Sequence, residues 1–181
     1  MNKILIVGLG NPGAQYEGTR HNFGWLVLDG LCSRHNWLTW GVNKNSITLE
    51  SMNGEDKIIL MKPLTMMNSS GEAVGPFAKM NNITPENIIV VHDELDIPLG
   101  DVRPKLGGGS AGHRGIKDII RVLDTEDFHR VRCGIGRPAP ERTVLEHVLS
   151  GFEQSELELF NQGLDCGISN TISIMRTLSP E

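Results

Sequence analysis

The 181-residue sequence is poor in cysteine and contains no long apolar run. Its three cysteines, Cys32, Cys133 and Cys166, are far apart and show no CxxC spacing, which argues against a disulfide framework and a structural zinc site. The apolar run at residues 4–7 is too short for a signal-peptide core or a membrane span, and no later run is long enough. We therefore expect a cytoplasmic protein with no membrane segment.

Positive charge is also scarce, since 17 Lys and Arg stand against 22 Asp and Glu and give a net charge of −5. This balance argues against a general nucleic-acid coat protein, whose affinity comes mostly from many cationic contacts with phosphate. The cations are unevenly distributed, and nine of the seventeen are Arg103, Lys105, Arg114, Lys117, Arg121, Arg130, Arg132, Arg137 and Arg142. Such a segment could dock a polyanion locally, and a solvated charged surface explains it equally well.

Several catalytic signatures are missing. There is no G-x-S-x-G motif and no cysteine in an identifiable activating environment, so a covalent nucleophile is not indicated. No two histidines have H-E-x-x-H spacing, and we predict neither a metal nor a cofactor. "GLGNPG" at residues 8–13 matches G-x-G-x-x-G, but Gly13 precedes the predicted helix and no acidic residue ends a second strand, which argues against a dinucleotide site.

Strand and helix patterns alternate along the chain. Apolar runs predict strands at residues 3–8, 45–51, 57–63, 87–91 and 129–136, and an exposed strand at residues 100–106. Apolar residues at helical spacing predict helices over residues 22–35, from Ser69 or Ser70 onward, over residues 116–123 and over residues 157–175. We predict one α/β domain over residues 1–181, with three layers and a mixed, mostly parallel twisted sheet flanked by helices.

Two local details can be predicted within these elements. Pro76 cannot donate a backbone hydrogen bond, so it should start or kink the second helix. In "HRVRCGIG", side chains alternate between the two faces of the strand, and we expect Arg130 and Arg132 to point outward.

Polar side chains gather where predicted strands end and predicted helices begin. Asn11 follows the first strand, His21 begins the first helix, Asn68 precedes the second helix, and Asp93 follows the strand at residues 87–91. Crevices in open α/β sheets form outside the carboxyl ends of the strands, so these groups could converge.

The four residue types fit a hydrolytic site. His21 is the natural general base, because an ordinary histidine has a pKa of about 6.5. Asp93 could hold its other ring nitrogen, while Asn11 and Asn68 could donate to a carbonyl or its developing oxyanion. Each residue also has a purely structural interpretation, as a helix cap for His21 and as a turn residue for Asp93 or Asn11.

Five segments together identify a family resemblance. "VGLGNPG..Y..TRHNFG", "KPLTMMNSSG", "VVHDELDIPLG", "KLGGGSAGHRGIKD" and "FHRVRCGIGRP" resemble the bacterial-type peptidyl-tRNA hydrolases, in order and over nearly the whole chain. The resemblance implies a single α/β domain that hydrolyses the ester joining a peptide to the terminal ribose of tRNA, recycling prematurely released peptidyl-tRNA. It also implies a monomer that needs no metal.

The resemblance assigns roles by matching position. His21 would activate water, Asp93 would stabilise protonated His21, Asn11 would help to select N-blocked substrates, and Asn68 would contact the scissile end. Further positions are implied in the substrate cleft, at Tyr16, Met66 and Met67, and at the phosphates of the tRNA acceptor end, at Lys105 and Arg132 with Arg103 and Arg130 nearby.

The glycine-rich segment departs from the family pattern at two positions. The chain has Arg114 where the family usually has asparagine, which replaces a neutral amide with a long cation that could bind phosphate or the C-terminal carbonyl. Ala111 replaces a usual glycine, which should stiffen a mobile flap. The alternative function is a noncatalytic RNA-binding protein on the same fold, like the organellar splicing factors that resemble these hydrolases.

Overall fold

The computed structural model describes residues 1–37 and 39–180. Its seven strands are β1 (Lys3–Gly8), β2 (Gly41–Val42), β3 (Ser46–Asn53), β4 (Asp56–Pro63), β5 (Ile88–Glu94), β6 (Val102–Leu106) and β7 (His129–Gly134). Its α-helices are α1 (Phe23–His35), α2 (Ser70–Met80), α3 (Arg114–Leu123), α4 (Val144–Val148) and α5 (Leu157–Leu178). Among the helices of the described ranges, none is long and apolar enough to cross a lipid bilayer.

The strands form one mixed sheet in the order β2-β3-β4-β1-β5-β7-β6. The central strands β4, β1, β5 and β7 are parallel, whereas β2, β3 and β6 pair antiparallel with their neighbours. One apolar core lies between the sheet and helices α1 and α5, and a second lies on the opposite face beneath α2 and α3. The predicted three-layer α/β fold is confirmed.

Strand position in the sheet follows the apolar pattern of the sequence. All seven residues of β5 are buried, as its continuous apolar run predicts for a central parallel strand. β3 and β4 form the expected hairpin around the tight turn at Gly54 and Glu55, with Asn53 paired to Asp56. β6, which contains Pro104, lies at the edge of the sheet. There the missing N–H of the proline does not interrupt the hydrogen bonds between two central strands.

The prediction that Arg130 points outward is wrong, and so is a start of α2 at Pro76, whereas a kink at Pro76 stays a prediction. Pro76 neither starts nor ends α2 but lies inside it, with its ring exposed to solvent. Val74 and Ala78 are buried on the other face of α2, and their tertiary contacts hold the helix on both sides of the proline. Arg130 does not point outward: its side chain is among the largest fully buried ones in the protein.

A close approach between α1 and the central strands sets the position of the turn that carries His21. A Cβ atom on Gly24 would lie 2.3 Å from the carbonyl oxygen of Val91 and 2.4 Å from the amide nitrogen of Leu9. Because neither backbone atom can move without distorting β1 or β5, only glycine fits at this crossing.

We expect Gly24→Ala to destabilise the protein by about 1–3 kcal/mol, because the added methyl group forces α1 away from the sheet. The matched control is Gly41→Ala, whose added Cβ would meet nothing closer than 3.7 Å. Denaturant unfolding followed by circular dichroism measures both variants. Equal unfolding midpoints for the two would show that the close approach does not constrain α1.

Candidate active site

The carboxyl ends of β1 and β5 open into a cleft of about 370 Å³. The predicted site residues that line it are Asn11, Tyr16, His21, Met66, Met67, Asn68, Asp93 and Arg114. The structure therefore brings together every predicted catalytic residue. The other four predicted residues, Arg103, Lys105, Arg130 and Arg132, lie outside the cleft on β6 and β7.

His21 and Asp93 form the central pair of the cleft. His21 lies in a 3₁₀ turn at residues 20–22, and its Nδ1 is 2.8 Å from Oδ2 of Asp93, which is buried at the end of β5. A carboxylate accepts hydrogen bonds, so Nδ1 carries the proton and Nε2 of neutral His21 is left with a lone pair. The residue thus has the tautomer that a general base needs.

Burial and two charged neighbours set the pKa of His21. Burial by itself lowers the pKa, but the charge of Asp93 and the hydrogen bond to it outweigh burial, so that the pKa is raised above its ordinary value. The positive charge of Arg114 opposes this rise. Asp93 on β5 and Arg114 on α3 therefore act on the pKa of His21 in opposite directions.

His113 is a second histidine partner of Asp93 that the sequence reasoning did not include in the site. Its Nε2 lies 2.8 Å from Oδ1 of Asp93, and its Nδ1 accepts a hydrogen bond of 3.3 Å from the amide of Ile116. The accepted bond identifies Nδ1 as unprotonated and Nε2–H as the donor to Asp93. The sequence signal for this role was the place of His113 as the N-cap of α3, directly after the glycine-rich segment.

Both oxygens of Asp93 therefore accept from an imidazole. Burial would raise the pKa of Asp93, but the electrostatic attraction and the hydrogen bonds of the His21 and His113 rings outweigh it and hold this pKa well below its ordinary value. The carboxylate stays ionised, so it can stabilise a positive charge on His21.

The same three residues offer the nearest arrangement to a metal site in the described ranges. His21, Asp93 and His113 each supply one potential ligand atom, and these atoms lie within 4.8 Å of one another. The two N···O distances of 2.8 Å are those of charge-assisted hydrogen bonds, and a metal would have to displace both N–H protons. We therefore interpret His21, Asp93 and His113 as three hydrogen-bonded side chains and not as a metal site.

Asn11 is fixed so that its amide nitrogen remains available. Its Oδ1 accepts from the backbone amide of Met67 at 2.6 Å. The side chain of buried Asn22 spans the backbone of Asn11, accepting from its amide at 2.9 Å and donating to its carbonyl at 3.0 Å. With Oδ1 occupied, Asn11 presents its Nδ2–H₂ donors to the cleft. Asn22 is thus a positioning residue for Asn11.

Arg20 holds the turn that carries His21 against the segment that follows α4. Its guanidinium binds both oxygens of Glu156 at 2.6 and 2.7 Å and also donates to Oγ of Ser150 at 2.7 Å and to the carbonyl of Gly151. Thr19 and Gly151 form an isolated β-bridge beside it. Arg20, the residue before His21, is thus fixed by an ion pair with both oxygens of Glu156, which was not recognised from the sequence.

One wall of the cleft is apolar. It is contributed by Leu95, Val144, Leu145, Val148 and Leu149, three of which belong to the short helix α4. A capping box between Thr143 and Glu146 starts this helix, and Nε2 of His147 lies 2.9 Å from the carbonyl of Gly136. Sequence reasoning missed α4 because five residues are too few for a helical period to stand out.

The glycine-rich segment forms a flap, defined here as residues 107–113, at the rim of the cleft. Ala111 lies in the left-handed region with φ of 48°, a conformation that its methyl group disfavours by about 1 kcal/mol. Ala111 lines the cleft itself, and the stiffening of the flap by alanine stays a prediction. Arg114 follows the flap as the first residue of α3, and its side chain is exposed at the cleft.

Four cations lie on one face of the neighbouring sheet edge, which we call the cation face. β6 and β7 pair antiparallel with Arg103 opposite Arg132 and Lys105 opposite Arg130. Two residues that face each other across an antiparallel pair project to the same side of the sheet. Residues two positions further along either strand also project to that side. Arg103 and Lys105 are exposed, Arg132 is half-buried, and Arg130 alone is enclosed by the protein.

Comparisons with known proteins agree on one family. The family model described as "Peptidyl-tRNA hydrolase" matches residues 5–179. The peptidyl-tRNA hydrolases of Halalkalibacterium halodurans and Shouchella clausii are each 44% identical over 161 and 162 residues, which cover 89% of this chain and 87% of each relative. The crystal structure of peptidyl-tRNA hydrolase from Acinetobacter baumannii has a TM-score of 0.84 at 35% identity, covering 99% of this chain and 95% of that one.

The charges around His21 lead to a prediction for its titration. We expect NMR titration of the His21 imidazole to give a pKa above 6.5, with a lower value in Asp93→Asn and a higher value in Arg114→Gln, because these changes remove a negative and a positive neighbour respectively. Lys117→Gln, which removes an exposed positive charge one turn further along α3, is the matched control and should leave the pKa unchanged. An unshifted pKa in Arg114→Gln would exclude its charge as an influence on His21.

Proposed function

The chain belongs to the peptidyl-tRNA hydrolase family and hydrolyses peptidyl-tRNA, and we propose that it does so with a water molecule activated by His21. The observation that carries this proposal is the hydrogen bond from Nδ1 of His21 to buried Asp93, which leaves Nε2 unprotonated at the cleft. The substrate is an ester between the carboxyl end of a peptide and the terminal ribose of tRNA.

In the proposed mechanism, Nε2 of His21 removes a proton from water as the water oxygen attacks the ester carbonyl. The imidazolium that forms is stabilised by the Asp93 carboxylate, which remains ionised. When the tetrahedral intermediate collapses, the C–O bond to ribose breaks and His21 returns the proton to the ribose oxygen. The products are a free peptide carboxyl group and a free tRNA hydroxyl, so no covalent enzyme intermediate is needed.

Two amide side chains supply polar contacts to the substrate. Asn11, whose Oδ1 is occupied by Met67, has only N–H donors to offer, which suits a peptide or ester carbonyl oxygen. We assign it the selection of N-blocked substrates, because a free amino group carries additional positive charge that a donor repels. Asn68, exposed at the start of α2, is assigned to the scissile end.

The peptide lies in this proposal along the apolar side of the cleft. Tyr16, Met66 and Met67 line the cleft together with the apolar wall that includes α4. Methionine side chains adapt to differently shaped partners, which suits an enzyme that must accept many peptide sequences. Burial of a peptide side chain against these groups would help to hold the ester against His21.

Phosphates of the tRNA acceptor end are assigned to Arg103, Lys105 and Arg132 on the cation face. These side chains offer charge without base-specific geometry, which suits an enzyme that acts on many tRNAs. Arg114, whose side chain is exposed where the cleft meets the flap, is assigned to the last phosphate or to the peptide carbonyl beside it. We further propose that the protein acts as a cytoplasmic monomer without a metal, since every residue in this mechanism comes from one chain.

The principal test is cleavage of N-acetyl-aminoacyl-tRNA. We expect the wild-type protein to release free tRNA and His21→Ala to reduce the rate by at least about a hundredfold, because the general base is lost. His35→Ala changes a histidine outside the cleft and should retain full activity. Aminoacyl-tRNA with a free amino group should be cleaved much more slowly than the N-acetylated form.

An unchanged rate in His21→Ala would remove His21 from the mechanism. RNA binding with no ester cleavage in the wild-type protein would instead select the noncatalytic RNA-binding function. Loss of discrimination against free aminoacyl-tRNA in Asn11→Ala, with cleavage retained, would support the role assigned to Asn11.

The role assigned to Arg114 predicts an effect on tRNA binding. We expect Arg114→Asn to remain active but to have a higher Michaelis constant and a shallower salt dependence, with the slope of log KM against log salt lower by about 0.7–0.9 for one lost phosphate contact. Lys117→Asn is the control for removal of a cation from the same helix. If the Michaelis constant and salt slope of Arg114→Asn match those of the wild type, Arg114 does not hold the tRNA.

A further inference from the structure

Arg130 is a buried cation whose guanidinium is enclosed by backbone carbonyls. It is 2% exposed, and no carboxylate oxygen in the described ranges lies within salt-bridge distance of it. Its Nη1 donates to the carbonyl of Gly109, and its Nη2 donates to the carbonyls of Gly108 and Glu126. The guanidinium carbon also lies 4.5 Å from the centre of the Phe128 ring.

A buried charge without partners is strongly destabilising, and the three carbonyl oxygens offset the free-energy cost of burying the Arg130 guanidinium. The carbonyl partners belong to two segments that flank the paired strands β6 and β7. Gly108 and Gly109 form the first half of the flap, and Glu126 precedes β7. The amide of Gly107 adds a backbone bond of 3.1 Å to the carbonyl of Phe128. The planar, forked guanidinium thus attaches the start of the flap to the start of β7.

The far end of the flap is held separately. His113 accepts from Ile116 and donates to Asp93, and its own amide bonds the carbonyl of Ser110 at 2.9 Å. Between these two attachments lie Ala111 and Gly112, which line the cleft. Arg130 is therefore one of two attachments that fix the cleft-lining part of the flap.

Lys105 depends on the same attachment. A Cβ atom on Gly108 would lie 2.4 Å from Nζ of Lys105, so the ammonium group lies directly over the bare α-carbon of this glycine. Gly108 also has φ of 96°, a conformation that glycine adopts without strain. Because Arg130 holds the carbonyl of Gly108, it also fixes the surface on which the Lys105 ammonium rests.

We propose that Arg130 is a positioning residue that holds the flap for both substrate ends and does not itself contact phosphate. Through Gly108 it sets the place of Lys105 at the tRNA phosphates, and through Gly109 it sets the place of the cleft-lining residues Ala111 and Gly112. The proposal rests on the assignment of peptidyl-tRNA hydrolysis to this cleft.

The test separates the positive charge of Arg130 from the forked shape of its guanidinium group. Arg130→Lys keeps the positive charge but loses the fork, whereas Arg130→Gln loses both. We expect both variants to lower kcat about tenfold or more, because flap residues at the cleft lose their fixed position. In a Lys105→Gln background, where the Lys105 contact is already gone, we expect Arg130→Gln to leave the slope of log KM against log salt unchanged. Arg132→Gln, two residues away on the same strand face, should lower the salt slope. Arg176→Gln, which removes an exposed guanidinium of α5 outside the cleft and the cation face, is the control that should leave both kcat and the salt slope near the wild-type values.

Hydrogen exchange provides a readout that does not depend on cleavage. We expect the amides of residues 107–113 to exchange faster in Arg130→Lys than in the wild type or in Arg132→Lys, with the exchange of α3 and β5 unchanged. Wild-type kcat and flap exchange in Arg130→Lys would overturn the proposal, as would a salt slope that Arg130→Gln reduces further when Lys105 is already replaced by glutamine. Absence of hydrolysis in the wild type would contradict the function and leave the exchange experiment valid.

A measurement on the unmodified protein covers the case in which the Arg130 variants do not fold. Phenylglyoxal reacts with accessible guanidinium groups and is located by mass spectrometry. We expect Arg130 to be unreactive both in the free protein and with a tRNA acceptor-stem hairpin, and Arg103 to react and to be protected by the RNA. Reaction of Arg130 in the free protein and its protection by the hairpin would identify it as a phosphate contact and overturn the proposal.

Discussion

The buried carboxylate of Asp93 is the constraint on which the rest of the site depends. It lies at the end of a central strand, away from water, and is kept ionised by two imidazoles that donate one proton each. Each imidazole arrives from a different element, His21 from the turn before α1 and His113 from the start of α3. The hydrogen bonds to the Asp93 carboxylate therefore bring helices from both faces of the sheet to the same point. They also fix the tautomer of His21.

The elements around this charge are held by polar contacts that do no chemistry themselves. Arg20 ties the turn of His21 to the segment after α4, and Asn22 ties the same turn to Asn11. On the other side of the cleft, Arg130 ties the flap to β7. These three residues are buried, and each makes bonds to backbone or carboxylate groups distant in sequence. A site built from loops gains the rigidity that positioning requires in this way.

The sequence was most informative where one physical signal dominates. The fully apolar runs of β1 and β5, the Gly-containing hairpin between β3 and β4 and the long stripe of α5 could all be predicted, because burial alone determines them. The convergence of Asn11, His21, Asn68 and Asp93 followed from strand ends meeting at one edge of the sheet. The family resemblance was needed to choose between the catalytic and the structural interpretations of these residues.

The remaining features depend on contacts that a linear pattern does not contain. Alternation along β7 placed Arg130 correctly beside Arg132 on one face, but the flap that folds over that face could not be read from β7 itself. His113 was visible as a polar residue before a helix, while its bond to Asp93 required the position of β5 relative to α3. Pro76 is tolerated inside α2 because of packing on the opposite side of the helix.

The pairing of like charges on the cation face has a thermodynamic consequence for the protein as a whole. Arg103 stands opposite Arg132, and Lys105 opposite Arg130, so the edge strand β6 is bound to the sheet against electrostatic repulsion. A polyanion seated there would relieve this repulsion, and dissolved salt would screen it. With tRNA bound at this face as proposed, salt and substrate would compete for it, yet both would reduce the repulsion, so the attachment of β6 would be weakest in the free protein at low ionic strength.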